Sequence, residues 1–165
     1  MANPYDSFAP GRFTQPLPSL GKVGQYQMSG IPFITGSVFV HKGGSDPLEV
    51  AFPQVTRFVT VVNEATGSNK PLRVGFSSNG VTGSHPTREG AAENYFVLNN
   101  GESYTGEWRV AAVYLLGANK PLEAESAANV TFPTTASVIA GLTGIPSQQL
   151  VRATNSNWSG SAGVG

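Results

Sequence analysis

The stretch Leu48–Glu64, LEVAFPQVTRFVTVVNE, decides the fold class. It is a strand-forming run whose alternation is imperfect. Thr56, Phe58, Thr60 and Val62 fall on one face, and Val55, Arg57, Val59 and Val61 on the other. A strand on a wet surface hides one face and shows polar residues on the other. Here both faces are partly apolar. The second face therefore calls for a cover: another layer of the same chain, a ligand, or a neighbouring copy.

Outward from this stretch, the text is a series of short apolar runs separated by Gly, Pro, Asn, Asp and Ser. TGSVFVH (Thr35–His41) leads through KGGSDP to LEVAF (Leu48–Phe52) and VTRFVTVVN (Val55–Asn63). LRVGFSS (Leu72–Ser78) is the cleanest half-buried strand, with Leu72, Val74 and Phe76 on one face and Arg73, Gly75 and Ser77 on the other. NYFVLNN (Asn94–Asn100) follows a long polar loop. GESYTG then opens EWRVAAVYLLG (Glu107–Gly117), and TTASVIAGLTGI (Thr134–Ile145) closes the pattern. A weaker strand is read within LEAESAANVTF. About eight short strands at regular spacing predict an all-β sandwich or barrel. No window carries a helical stripe with caps, and EAESAAN is too short to be stable alone.

The termini read differently. Residues 1–30 hold Pro4, Pro10, Pro16 and Pro18 with no apolar period, which predicts an extended arm anchored by Phe8, Phe13 and Leu17. Residues 31–147 form the domain, and 148–165 a Gly/Ser-rich tail with one aromatic, Trp158. One domain suits 165 residues. The balance of 10 Lys+Arg against 10 Asp+Glu gives zero formal charge. That speaks against direct nucleic-acid binding, which rests on phosphate neutralisation, and against electrostatic membrane binding. A chain only 12% charged is weakly self-repelling and suited to packing among neighbours. With no cysteine there is no disulfide framework or Cys-based metal site. No signal-peptide layout and no bilayer-length apolar run is read in the chain, so no membrane insertion is expected.

Chemistry-bearing patterns are sparse. His41 and His85 have no local carboxylate or second histidine at a metal-ligand spacing, so no metal is expected. The serines of GFSSNG and GSHPTREG lack the strand-to-helix turn of a nucleophile elbow. Glu89, Glu93, Glu102 and Glu107 show no spacing that asks for paired carboxylate chemistry. Neither catalytic residues nor a cofactor are expected. Two N-x-Ser/Thr triplets begin at Asn129 and Asn157. Tyr95, Tyr104, Trp108 and Tyr114 are candidates for sugar-stacking platforms, although aromatics at period two are more often core or interface.

In order, FITGSVFV, FPQVTRFVTVVN, LRVGFS, NYFVLNNGESYTGEWRVAAVYLL and SVIAGLTGI resemble the penton proteins of large icosahedral DNA viruses. These are single jelly-roll capsid proteins of the iridovirus, phycodnavirus and mimivirus kind. The resemblance covers about Phe33 to Ile145. It implies a jelly-roll β-sandwich of two four-stranded sheets and a homopentamer at each capsid vertex. It further implies neighbouring major and minor capsid proteins as partners, and a virion location after synthesis in host cytoplasm. On that reading Arg57, Val59, Tyr95, Tyr104 and Trp108 are the expected subunit-interface residues. The alternative is a carbohydrate- or receptor-binding jelly-roll module, for example as a minor capsid protein.

Overall fold

The computed structural model describes residues 30–41, 46–66, 70–82, 94–118 and 133–150. The arm anchors Phe8, Phe13 and Leu17, together with His85, Asn129, Asn157, Trp158 and the weak strand expected within 122–132, lie outside them. Eight strands make up most of the described chain. They are β1 (Ile31–Val40), β2 (Leu48–Ala51), β3 (Gln54–Asn63), β4 (Leu72–Gly75), β5 (Tyr95–Leu98), β6 (Ser103–Gly106), β7 (Ala112–Gly117) and β8 (Thr134–Pro146). Two antiparallel four-stranded sheets result, one in the order β1-β8-β3-β6 and the other β2-β7-β4-β5. The expected all-β sandwich of two four-stranded sheets is what the chain forms.

Inward residues of both sheets interdigitate in one core. Val59, Val61, Val138 and Ala140 meet Val50, Leu72, Val74, Val113 and Leu115, all buried. Fully burying each Val or Leu contributes about 1.5–3 kcal/mol, so this layer is the main source of stability. At one end, Asn63 is wholly buried and wholly satisfied. Its Nδ2 donates to the Lys70 and Leu98 carbonyls at 2.9 and 3.1 Å. Its Oδ1 accepts from the Ala65 amide and the Thr134 hydroxyl at 3.2 and 2.9 Å. One side chain thus ties the end of β3 to the start of β8 and the end of β5.

Bulges explain the broken alternation of Val55–Asn63. The β3–β8 register shifts between Gln54 and Thr56 and again between Thr56 and Phe58. A bulge adds an unpaired residue and resets which side chains point inward. Beyond it, Val59, Val61 and Asn63 face the core, and Phe58, Thr60 and Val62 face out, half-buried. Phe58 lies flat across β8, where a Cβ on Gly141 would sit 2.4 Å from its ring. The apolar outer face of β3 is therefore covered in part by its own sheet. The rest of that face is open: Ile34 is 69% and Phe39 61% exposed. A second bulge in β1, between Thr35 and Val38, keeps Val38 and Val40 inward with Ser37 at φ 51°.

Three boundaries differ from the sequence reading. β1 begins at Ile31 and runs through Pro32, because an edge strand leaves proline's missing N–H unneeded. Ser103–Gly106 is a strand of its own, and Glu107–Ala111 is not strand. The buried Thr56 hydroxyl holds that connection instead, 2.7 Å from the Trp108 carbonyl and 3.1 Å from that of Val110. Finally, β4 ends at Gly75, and Ser78–Thr82 is a short helix, α1. Ser77 Oγ caps it by accepting from the Gly80 amide at 3.1 Å. This helix packs on β4 and β7, buries Val81, and covers Leu116 from outside the sandwich. The side of β4 expected to be wet is consequently covered in part. Arg73 is half-buried there, its guanidinium 4.4 Å from the Tyr95 ring centroid.

Candidate functional site

β5 and β6 are the last strands of their respective sheets and lie on the same side of the sandwich, joined by the turn Asn99–Glu102. Between these two edges four aromatic rings converge. Phe96 projects inward from β5 because it sits opposite Val74, and Tyr104 projects inward from β6 opposite Val61. Their ring centroids are 5.0 Å apart. Trp108 stacks on Tyr104 at 5.3 Å and 14°, and meets Phe76 edge-on at 4.7 Å. Phe96 lies 6.0 Å from Trp108, so the four form one connected cluster. Such separations are in the favourable range for aromatic pairs.

The indole depends on a glycine. A Cβ on Gly106 would come within 2.3 Å of Trp108 Cε2, so only a residue without one lets the ring lie against β6. From the backbone side, the Thr56 hydroxyl fixes the Trp108 carbonyl. Gly106, two residues away, and Thr56, distant in sequence, therefore hold the platform in place together.

The cluster lines an open groove of about 600 Å³ with Val97, Leu98, Glu102 and Ser103. Tyr104 is 47% exposed at its mouth. Glu102 is the charged residue of the lining. The Asn99 amide donates to its Oε2 at 2.7 Å, and Asn99 Nδ2 reaches both carboxylate oxygens at 3.2 Å. Those hydrogen bonds, the backbone one first, hold the Glu102 carboxyl below its ordinary pKa. Across the sandwich, burial first and the neighbouring Glu49 carboxylate second push the Tyr114 phenol up.

Of the residues expected at an interface, the structure brings Tyr104 and Trp108 together. Tyr95 lies on the outer face of the other sheet, beside Arg73. Arg57 sits half-buried at the β3 bulge. Val59 is a correction: it is 0% exposed in the core, so its side chain has no surface to offer a neighbour. The register shift beside Thr56 separates half-buried Arg57 from Val59, which points into the core with Val61. Phe96, Phe76 and Glu102 were missed as groove residues. In Asn94–Asn100 the pairs Tyr95/Val97 and Phe96/Leu98 both fit an inward face, and the sequence carries no signal that selects the second.

Comparison with protein families, curated proteins and solved structures finds no match to this chain. Among the described residues no three His, Cys, Asp or Glu side chains come together as a metal site. No helix among them is long and apolar enough to cross a membrane.

Proposed function

We propose that this chain is a single jelly-roll capsid subunit that forms a homopentamer at the five-fold vertices of an icosahedral virion, beside neighbouring capsid proteins. The observation that carries the reading is the winding order. The chain alternates sheets from β1 through β4, stays in one sheet for β5, then alternates again to β8, giving β1-β8-β3-β6 against β2-β7-β4-β5. Two interleaved Greek keys of this kind are how a jelly roll is wound. The apolar, open outer face around Ile34 and Phe39 and the zero net charge support a life among neighbours. Tyr104 and Trp108 are the aromatic anchors best placed for a contact, with Tyr95 and Arg57 as lesser ones.

A carbohydrate- or receptor-binding module is the weaker reading. Tyr104 offers a half-exposed ring, but the polar lining of its groove is Glu102, Ser103 and the phenol itself, and Glu102 is already engaged by Asn99. A sugar needs more hydroxyl partners than that.

Sedimentation of the purified chain tests the pentamer: five copies of 17.2 kDa give a species near 86 kDa. Each ring contact is expected to bury about 1,200–2,000 Å². Cryo-electron microscopy of assembled particles should then show five copies around each five-fold axis. Density confined to positions off those axes overturns the proposal.

A further inference from the structure

The groove between β5 and β6 has aromatic walls, an open mouth and a carboxylate at its rim, and the ring proposal, which takes Tyr104 and Trp108 as contact anchors, assigns no segment to its interior. We propose that it is the docking site for residues 1–29 of the same subunit, seated as an extended proline-containing segment against Tyr104 and Trp108. The inference concerns one subunit and does not depend on whether rings form.

Three observations converge on that occupant. The first is chemistry. Residues 1–29 contain Pro4, Pro10, Pro16 and Pro18 without a periodic apolar face. Proline-rich segments favour the polyproline II conformation, lose little entropy on binding, and seat their rings between aromatic side chains. The second is charge. The segment carries Arg12 and Lys22 against Asp6 alone, and Glu102, whose Asn99 hydrogen bonds leave its negative charge in place, is the charged residue of the groove. The third is reach. The described chain begins at Gly30, beside β1, and β1 and β6 are the two edges of one four-stranded sheet. Three strand spacings, about 14 Å, separate the edges, and five to six residues of β3, about 17–20 Å, separate the level of Ile31 from that of Tyr104 and Ser103, a straight span of about 22–24 Å. From Ser19 to Gly30 the chain advances roughly 34 Å in polyproline II geometry, about 10 Å more than that span. A tethered segment also faces its groove at an effective concentration on the order of millimolar, which favours the subunit's own arm over a neighbour's. The open face at Ile34 and Phe39 is a competing dock, but it is a sheet surface without concave aromatic walls.

The absence of native cysteine makes the test direct. In the full-length protein, Ser19→Cys is paired with Ser103→Cys at the groove, and separately with Ile34→Cys on the open face. Intrachain disulfide formation in a glutathione buffer should be at least about fivefold faster for the groove pair, since docking raises the local thiol concentration. Adding Tyr104→Ala should remove most of that advantage. Tryptic cleavage at Arg12 and Lys22 gives a readout free of new cysteines: it should be several-fold slower in the parent than in Tyr104→Ala. Equal rates for the two cysteine pairs, a faster Ile34 pair, interchain dimers that persist on dilution, or arm cleavage indifferent to Tyr104→Ala would each overturn the proposal.

Discussion

Gly106→Ala sets two known effects against each other. Alanine in a strand interior normally gains about 0.5–1 kcal/mol over glycine by restricting the unfolded chain. At Gly106 the added Cβ would lie 2.3–2.6 Å from Trp108 Cε2, Cζ2 and Cδ2, so the indole must move. If it shifts within the groove, overpacking costs about 1–3 kcal/mol. If it swings out, it loses its contacts with Phe76, Phe96 and Tyr104, worth about 0.5–1.5 kcal/mol each beyond burial. Either route outweighs the alanine gain, and the net loss is about 2 kcal/mol. For a domain of this size that lowers Tm by roughly 4–8 °C. Urea unfolding read by tryptophan emission in a Trp158→Phe background reports on Trp108 alone, and near-ultraviolet circular dichroism reports on the Tyr104 stack. In a Trp108→Leu background the same glycine change should cost little, leaving a coupling of about 2 kcal/mol. Gly36→Ala is the control, because its Cβ meets only Ser137 Oγ at 3.7 Å. A Gly106→Ala protein as stable as its parent, with Trp108 emission unchanged, would refute the stacking on β6.

Asn63→Ala should destabilise by roughly 3–4 kcal/mol in the same assay, because it strands buried partners at Lys70, Leu98 and Thr134. Asn63→Asp would face a carboxyl towards two carbonyls, raising its folded pKa above the unfolded value of about 3.9. Its stability should come nearest the parent below that pH, where the single O–H still serves one of the two carbonyls, and fall as pH rises through the folded pKa; a parallel pH profile counts against the network. The Tyr114 phenol is raised by burial and by Glu49, so its contribution is complete below about pH 10 and is lost as pH rises through the folded value. Tyrosinate absorbance should show a late-titrating phenol that Tyr114→Phe removes and Glu49→Gln moves to lower pH. Gly141→Ala would place a Cβ 2.4 Å from the Phe58 ring and should cost about 1–2 kcal/mol, relieved by Phe58→Ala. Equal penalties in both backgrounds would mean Phe58 does not lie across β8.

Much of the sandwich was legible because its signal is local. Leu72, Val74 and the inward turn of Phe76 follow from simple alternation, and the spacing of turns gives the strand number. What was not legible depends on partners far away in sequence. The bulges at Gly36–Ser37 and around Thr56 break the phase of β1 and β3, and they are fixed by pairing with β8. The helix at Ser78–Thr82 is too short to print a periodic stripe, and its one local signal is the capping Ser77. Ser103–Gly106 carries no apolar alternation because three of its four residues are exposed at an edge. Tyr104 and Trp108 could be named from the sequence as aromatic candidates. That they stack on each other could not, since the bare backbone of Gly106 only permits it and the Trp108 carbonyl is held by Thr56, far away in sequence.

The same edge argument bears on assembly. Phe96 against Tyr104 puts β5 and β6 on one flank of the sandwich. Phe33 against Phe52, at 5.2 Å, brings β1 to the end of β2 on the opposite flank. The two flanks are unlike. At the β1/β2 side Phe52 is 2% exposed and the aromatic pair closes the core. At the β5/β6 side the rings leave a groove with Tyr104 half-exposed. An isologous dimer matches a surface to itself, whereas a closed ring matches one side of a subunit to a different side of the next. A sandwich with one closed and one grooved flank has the asymmetry a ring requires. A docked arm would remake the grooved flank, so the surface a neighbour meets there would be aromatic ring and proline together. The arm's seating and the ring contact would then compete for, or jointly build, the same side of the subunit, and Tyr104 is the residue on which both converge.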